Sequence, residues 1–373
     1  MNLPDRFAGC LLGLALGDAT GAPREGGVPE RVAWLFLGRT LDGRQRWTDD
    51  TQMTLALTES LIARHGLDLD DAARRMTQAY QWRRGYGPGA AKVLARIRRG
   101  MPWQQASRSV YPDGSYGNGG AMRVTPLALW FAPDGPAAWQ AARASAAITH
   151  AHAEAQWGAG AVALAVCTAL RCSPNDSPVD FWNAWRLSLQ ADIDQAGSPA
   201  YQDELRWADQ QLNAANAVAA SPRDVQKHLG CGVAARRSVV TAIYLAARYM
   251  GQPMDALLRF CLRRTCGGWS RPNGSRRRRA RWQTRPLRAA EAVRCTRVRP
   301  AVQAPRSAPV TEYESNQALA PGRYAQAATL IIASPSWIQA AARWPYTYRT
   351  HHTRTARPAR AEGAPGTAHH QKL

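Results

Sequence analysis

Apolar residues recur at helical spacing from the N-terminus of this chain to Leu262, and alternating β-branched runs are almost absent. That pattern leaves helix-on-helix packing as the way to bury a core. "TDDTQMTLALTESLIARHG" places Met53, Leu57 and Leu61 on one face, with Gly66 as the stop. "LDLDDAARRMTQAYQWRRG" offers Asp68 or Asp70 as an N-cap. "TPLALWFA", "AAWQAARASAAITHAHAEAQWGAGAVALAVCTAL", "SPVDFWNAWRLSLQADI" and "RRSVVTAIYLAARYMG" continue the pattern by period and Ala/Leu content. The expected fold class is all-α. After Leu262 the period is lost, Arg, Pro and Ala dominate, and Asp does not occur again. Two regions follow: a helical body over 1–262 and an Arg/Pro-rich basic tail over 263–373.

Charge divides at the same point. From Arg263 onward there are 21 Lys and Arg against 4 Asp and Glu, which accounts for +17 of the net +21. The body is therefore nearly balanced, and polyanion affinity, if any, belongs to the tail. The tail cannot bury enough apolar surface to offset its ordering entropy and is expected to be disordered. The seven cysteines are scattered without a CxxC pair, which points to neither a disulfide framework nor a zinc site. No uncharged apolar run long enough to span a bilayer is apparent, and the N-terminus lacks a basic n-region. The expectation is a reduced, cytoplasmic protein with no membrane partner. Its oligomeric state is left open.

Four loops carry the chemistry. In "RWTDDTQM", Thr48, Asp49, Asp50 and Thr51 precede an apolar helix. Read alone, they favour N-capping over a hard cation, although Mg²⁺ takes such an oxygen-only set. "GLALGDATGAPREGG" brings Asp18 and Glu25 towards a helix end, and its glycines alone suggest close packing. "SYGNGGAMRV" sets Ser115 and Tyr116 before Gly117, Asn118, Gly119 and Gly120, whose consecutive N–H groups suit a diphosphate. "ITHAHAEA" places His150 and His152 near a helix start, where one such histidine is more often a satisfied polar residue than a ligand. Gly85, Gly87, Pro88 and Gly89 in "RGYGPGAAKVL" mark a turn before a helix.

Taken together and in this order, "GLALGDATGAP", "WTDDTQM", "GNGGAMRV" and "TH" resemble the ADP-ribosylglycohydrolase family over roughly residues 5–262. The resemblance implies an all-α bundle with a central cleft for ADP-ribose and two Mg²⁺ ions. It implies hydrolysis of the bond between the anomeric ribose carbon and an arginine, serine or small acyl group. Carried over by position, Thr48, Asp49 and Asp50 match a metal cluster. Glu25 matches a carboxylate facing the scissile bond, and Asp49 or Glu25 would handle the proton. Ser115, Tyr116, Gly117, Asn118, Gly119 and Gly120 match the loop around diphosphate and ribose, and His150 a residue near the distal ribose. The implied partner is an ADP-ribosylated protein or an ADP-ribose-containing small molecule.

The resemblance also calls for a second cluster, Asp-x-Asp-Thr after a Gly-Gly pair. Here Gly267 and Gly268 are followed by Trp269, Ser270 and Arg271, and no aspartate stands later. Half of a two-metal ligand set is missing, and impaired catalysis is expected. Substitute oxygens from Glu291, Glu312 or Glu314 would require the tail to fold back. An out-of-frame translation beginning near Leu262 explains the abrupt change of composition. A genuine basic extension is the rival. Two further functional readings remain at this level: a non-catalytic ADP-ribose binder, and a polyanion binder acting through "SRRRRARWQTR". No recognised nucleic-acid fold surrounds that segment.

Overall fold

The computed structural model describes residues 3–262, apart from 25–27, 42, 174, 191–197 and 215–218. The expected disordered tail, with Glu291, Glu312 and Glu314, lies outside the described residues. Within them the chain is helical, and its β-pairing is confined to two isolated bridges, Arg39 with Gln45 and Gly117 with Ala234. The all-α expectation holds.

In chain order the helices are α1 (Leu3–Gly21), α2 (Val28–Leu37), α3 (Asp49–Arg64), α4 (Leu69–Ala79), α5 (Pro88–Arg98), α6 (Trp103–Ser109) and α7 (Thr125–Trp130). They continue with α8 (Gly135–Ala147), α9 (Ala153–Arg171), α10 (Pro178–Ser188), α11 (Gln202–Asn213), α12 (Pro222–His228), α13 (Val239–Arg248) and α14 (Met254–Leu262). The long Ala-rich stretch read as helix is two helices, α8 and α9, broken at the His150–His152 corner. The end of α3 differs by one position: the left-handed residue is His65, at φ 54°, and Gly66 lies beyond it. Histidine is among the non-glycine residues that tolerate this conformation.

Helix α9 is the centre of the bundle and packs against α7, α8, α10 and α13. It is apolar around most of its circumference, as a helix enclosed on all sides must be. By length and composition Ala153–Arg171 would pass for a bilayer span, which corrects the reading that no such run exists. Within the bundle 78% of its most apolar stretch is buried, so neighbouring helices already cover that surface. Its glycines explain how closely they approach. A Cβ on Gly158 would stand 2.6 Å from the Tyr201 hydroxyl oxygen, and one on Gly160 would enter the Trp139 indole. Trp139 meets Trp157 edge-on at 6.1 Å, and Trp157 lies against Tyr201 at 4.2 Å. Across α9, Trp185 donates to the Ala161 carbonyl at 3.0 Å.

The α3–α4 pair is locked by one buried carboxylate. Asp68 caps α4 by accepting from Asp71 N–H at 2.9 Å, as expected. Asp71 then accepts from Ser60 Oγ at 2.8 Å and Arg75 Nε at 2.6 Å, and is bonded to Arg74 as well. Burial works to raise the Asp71 carboxyl, but the hydrogen bonds from Arg74, Arg75 and Ser60 outweigh it and hold it well below the usual carboxylate range. A depressed carboxyl stabilises the fold fully above its unfolded value, about pH 4, and loses that contribution as pH falls. Asp71→Asn should therefore cost about 2 kcal/mol at pH 7, the arginines being partly exposed. In denaturant titrations the gap from the parent chain should narrow below about pH 4 and be constant from pH 6 to 8.

Candidate functional site

The site is assembled around the start of α3. Thr48 is the N-cap, its hydroxyl accepting from Asp50 N–H at 3.3 Å. The cap is held in place by Asp18, near the C-terminal end of α1. Asp18 accepts from Thr48 N–H at 2.8 Å, Thr48 Oγ1 at 2.6 Å, Thr51 N–H at 3.1 Å and Thr51 Oγ1 at 2.5 Å. Both threonines of "TDDT" thus face inward to a buried carboxylate, and the two aspartates between them are left partly accessible. Capping and a cation site are compatible here: the Thr48 hydroxyl caps the helix with one lone pair, and the Asp49 and Asp50 side chains lie partly accessible beside it.

Asp18 and Asp49 stand together, and among the described residues neither has a basic side chain within ion-pair distance. Burial raises both Asp18 and Asp49, while the Thr48 and Thr51 donors oppose that rise at Asp18. Burial and the neighbouring Asp18 charge push Asp49 up to about 7. Asp18 is raised as well, burial outweighing its four donors. Among the described residues no three His, Cys, Asp or Glu side chains gather as a metal cluster. Thr48 Oγ1 has committed its proton to Asp18 and a lone pair to Asp50 N–H. The oxygen set that the tetrad offers to a cation is Asp49 and Asp50 with one lone pair of Thr48. It fits a single Mg²⁺-like ion that keeps most of its waters, not a pair of ions. Glu25 lies outside the described residues.

The glycine loop forms the second wall. Gly117 N–H donates to Ser115 Oγ at 3.2 Å, and Asn118 N–H to the Val233 carbonyl at 2.8 Å. Ala235 N–H donates back to the Tyr116 carbonyl at 2.9 Å, completing a two-sided staple to the segment before α13. The expected run of consecutive N–H groups is shorter than anticipated, since those of Gly117 and Asn118 are used internally. The N–H groups of Gly119 and Gly120 have no partner among the described residues. Tyr116 stays exposed and meets His152 edge-on.

His150 is the floor on which this loop rests. A Cβ on Gly119 would stand 2.4 Å from its ring and one on Gly117 3.2 Å away, and Ala146 bars one on Gly120 at 2.5 Å. Thr149 Oγ1 lies 2.8 Å from His150 Nδ1. Burial, with Arg123 nearby, lowers His150 to about 3, so the imidazole is neutral.

Arg123, absent from the sequence-derived site, joins the two walls. It is wholly buried, and its Nη1 donates to the Gly119 carbonyl at 3.1 Å and Thr149 Oγ1 at 2.9 Å, while Nη2 donates to the Ser145 carbonyl at 2.8 Å. Nη1 also reaches the Met53 sulfur of α3 at 3.8 Å. Tyr86 donates to Gln52 Oε1 at 3.0 Å and closes the same region from the loop before α5. Gly85 takes φ +81°, and its missing Cβ leaves 4.0 Å to Asp49 Oδ1. Arg237, just beyond the staple, is bound to Glu204 and to carbonyls at the end of α12.

Known proteins can be set beside this geometry. A family model described as ADP-ribosylglycohydrolase matches residues 1–275, well over half the chain. The chain belongs to the ADP-ribosylglycohydrolase family. ADP-ribosylhydrolase ARH3 of Mus musculus is 33% identical over 271 residues, covering 66% of this chain and 72% of that protein. The ADP-ribosyl-[dinitrogen reductase] glycohydrolase of Rhodospirillum rubrum is 33% identical over 137 residues, 34% of this chain and 45% of that one. A solved ADP-ribosylglycohydrolase-related protein complex aligns at 26% identity with a TM-score of 0.47, over 69% of this chain and 80% of its own. Membership supports hydrolysis of ADP-ribosyl conjugates in general. The family match runs past Leu262 to the residues just after Gly267 and Gly268, and ends there.

A cavity of about 420 Å³ between α4 and the α5–α6 segment, lined in part by Arg74, Arg98 and Trp103, shares no residue with this site. Gly119→Ala tests the loop and its floor. The added methyl must displace His150, which should cost about 1–3 kcal/mol. Chemical denaturation should register that loss, and calorimetry with ADP-ribose should show at least tenfold weaker binding.

Proposed function

We propose that this protein hydrolyses the ribose glycosidic bond of an ADP-ribosylated protein or ADP-ribose-containing small molecule, with Mg²⁺ at Asp49 and Asp50 and reduced turnover. The observation that carries the reading is the Asp18–Thr48–Thr51 knot, which presents two adjacent carboxylates beside a glycine loop with unpaired N–H groups. The names of the relatives point to ADP-ribosyl substrates, and the family match spans every residue of both walls.

In this reading the Gly119 and Gly120 N–H groups receive the diphosphate, as backbone amides do for anions. Neutral His150 beneath them adds no competing charge and keeps the loop's path fixed. Asp49 and Asp50 would hold the Mg²⁺, which would supply Lewis-acid chemistry at the ribose. Asp49 or Glu25 handles the proton of the attacking water, and nearby carboxylate charge favours an oxocarbenium-like transition state. The missing Asp-x-Asp-Thr cluster removes the donors that a second ion would need, which supports reduced turnover. The site also suits a cytoplasmic enzyme, where Mg²⁺ and reduced thiols coexist.

The test is release of ADP-ribose from ADP-ribosylated arginine protein by the full chain. Slow release that stops with chelator and with Asp49→Asn is expected, and release no faster than in the chelated sample overturns hydrolysis. Calorimetric titration with Mg²⁺ should return one equivalent. Two equivalents would mean that residues 263–373 supply further donors.

A further inference from the structure

A basic and aromatic rim stands beside the acidic centre and takes no part in the reading above. The short turn Trp82–Arg84 precedes Gly85, the residue that lies against Thr48 and Asp49. Trp82 is 66% exposed, and the Arg83 guanidinium sits over its ring at 5.2 Å. Arg84 is tied down instead: it donates to the Trp47 carbonyl at 2.9 Å and stacks over the Trp47 ring at 4.8 Å. Arg46 adjoins Trp47 in sequence and lies close enough to Arg84 for mutual repulsion. Among the described residues none of the three arginines has a carboxylate partner within ion-pair distance.

Arg46 and Arg84 repel one another, Arg83 adds a third positive charge beside Arg84 in sequence, and the exposed Trp82 leaves its apolar ring in water. Both costs are offset when an anionic group with apolar or planar surface is placed there. The placement matters as well. The glycine loop is tied through Arg123 to Met53, in the second turn of α3, whereas the Trp82–Arg84 turn abuts the very start of that helix. The rim thus borders Asp49 at the start of α3, next to the site where an ADP-ribosyl conjugate would be held.

We propose that Arg46, Arg83 and Trp82 form a subsite for acidic peptide flanking the ADP-ribosylated residue, so that the enzyme selects protein substrates modified within Asp/Glu-rich sequence. The inference rests on the functional reading above and names the substrate class for that site. Arg84 holds the turn against Trp47 and positions the other two. Rim charges of this kind set selectivity through a salt-sensitive attraction.

The experiment uses the full chain and fluorescent peptides that carry ADP-ribose through a non-hydrolysable triazole link. One peptide has Asp and Glu flanks, and the other Asn and Gln flanks. Anisotropy should show roughly tenfold tighter binding of the acidic peptide at low salt, shrinking to about twofold at 0.5 M salt as screening sets in. Arg83→Glu and Arg46→Glu should each reverse the preference, a change of sign that loss of folding does not produce. Equal affinity for the two peptides overturns the inference even where free ADP-ribose binds. Failure of free ADP-ribose to bind overturns the functional reading and the inference with it. A single-stranded oligonucleotide that displaces the acidic peptide and binds more tightly, with loss in Arg83→Glu, assigns the rim to nucleic acid and overturns the peptide.

Discussion

Four hydrogen bonds to one buried carboxylate organise this molecule's chemistry. Asp18 brings the end of α1 to the start of α3 and satisfies backbone N–H groups that the helix leaves open. Because it takes the hydroxyls of Thr48 and Thr51, it turns those side chains inward and leaves Asp49 and Asp50 as the accessible pair. Burial, with the same carboxylate beside it, then makes Asp49 costly to ionise. A structural cap and a charge that calls for a counter-ion are thus produced by one residue. Neither function is separable from the other by substitution at position 18.

The second wall depends on a different economy. Arg123 is a buried cation whose nearest acceptors are neutral: two carbonyls and a hydroxyl. Burial lowers it to about 10, still far above neutrality, so it remains charged. Its positive field adds to burial in keeping His150 neutral, and it opposes, without cancelling, the rise that burial and Asp18 cause at Asp49. Loop, histidine and carboxylates therefore share one electrostatic setting, although they come from separate helices.

Much of this was legible locally. Helical period identified α3, α4, α7, α10 and α13, and Asp68 caps α4 where a short polar side chain before an apolar run belongs. The four loop motifs were visible because their chemistry is contained in a few adjacent residues. Arg123 was not, since an arginine after "GGAM" reads as a surface residue until Ser145, Thr149 and Gly119 converge on it. Only tertiary contact reveals such a partner set, and a fully buried arginine is rare enough that the bland reading wins. The Val233–Ala235 staple left no pattern either, because a single bridge has no period. The break between α8 and α9 was hidden by alanine, which favours helix on both sides of the corner. The "S-P-x-D" capping boxes that open α10 and α12 were readable signals that the periodic scan passed over.

The staple between Tyr116–Asn118 and Val233–Ala235 has a consequence for how the protein is made. Its two sides are separated by more than a hundred residues, so closing it requires the intervening helices α7 to α12 to be in place first. Long-range closure of this kind comes late, after local helix pairs have formed. A nascent chain released from synthesis before residue 235 would have its acidic tetrad and its Arg123 but no second edge for the glycine loop. The substrate-facing loop is thereby among the last pieces to acquire its native shape, and its order reports that the rest of the bundle has assembled.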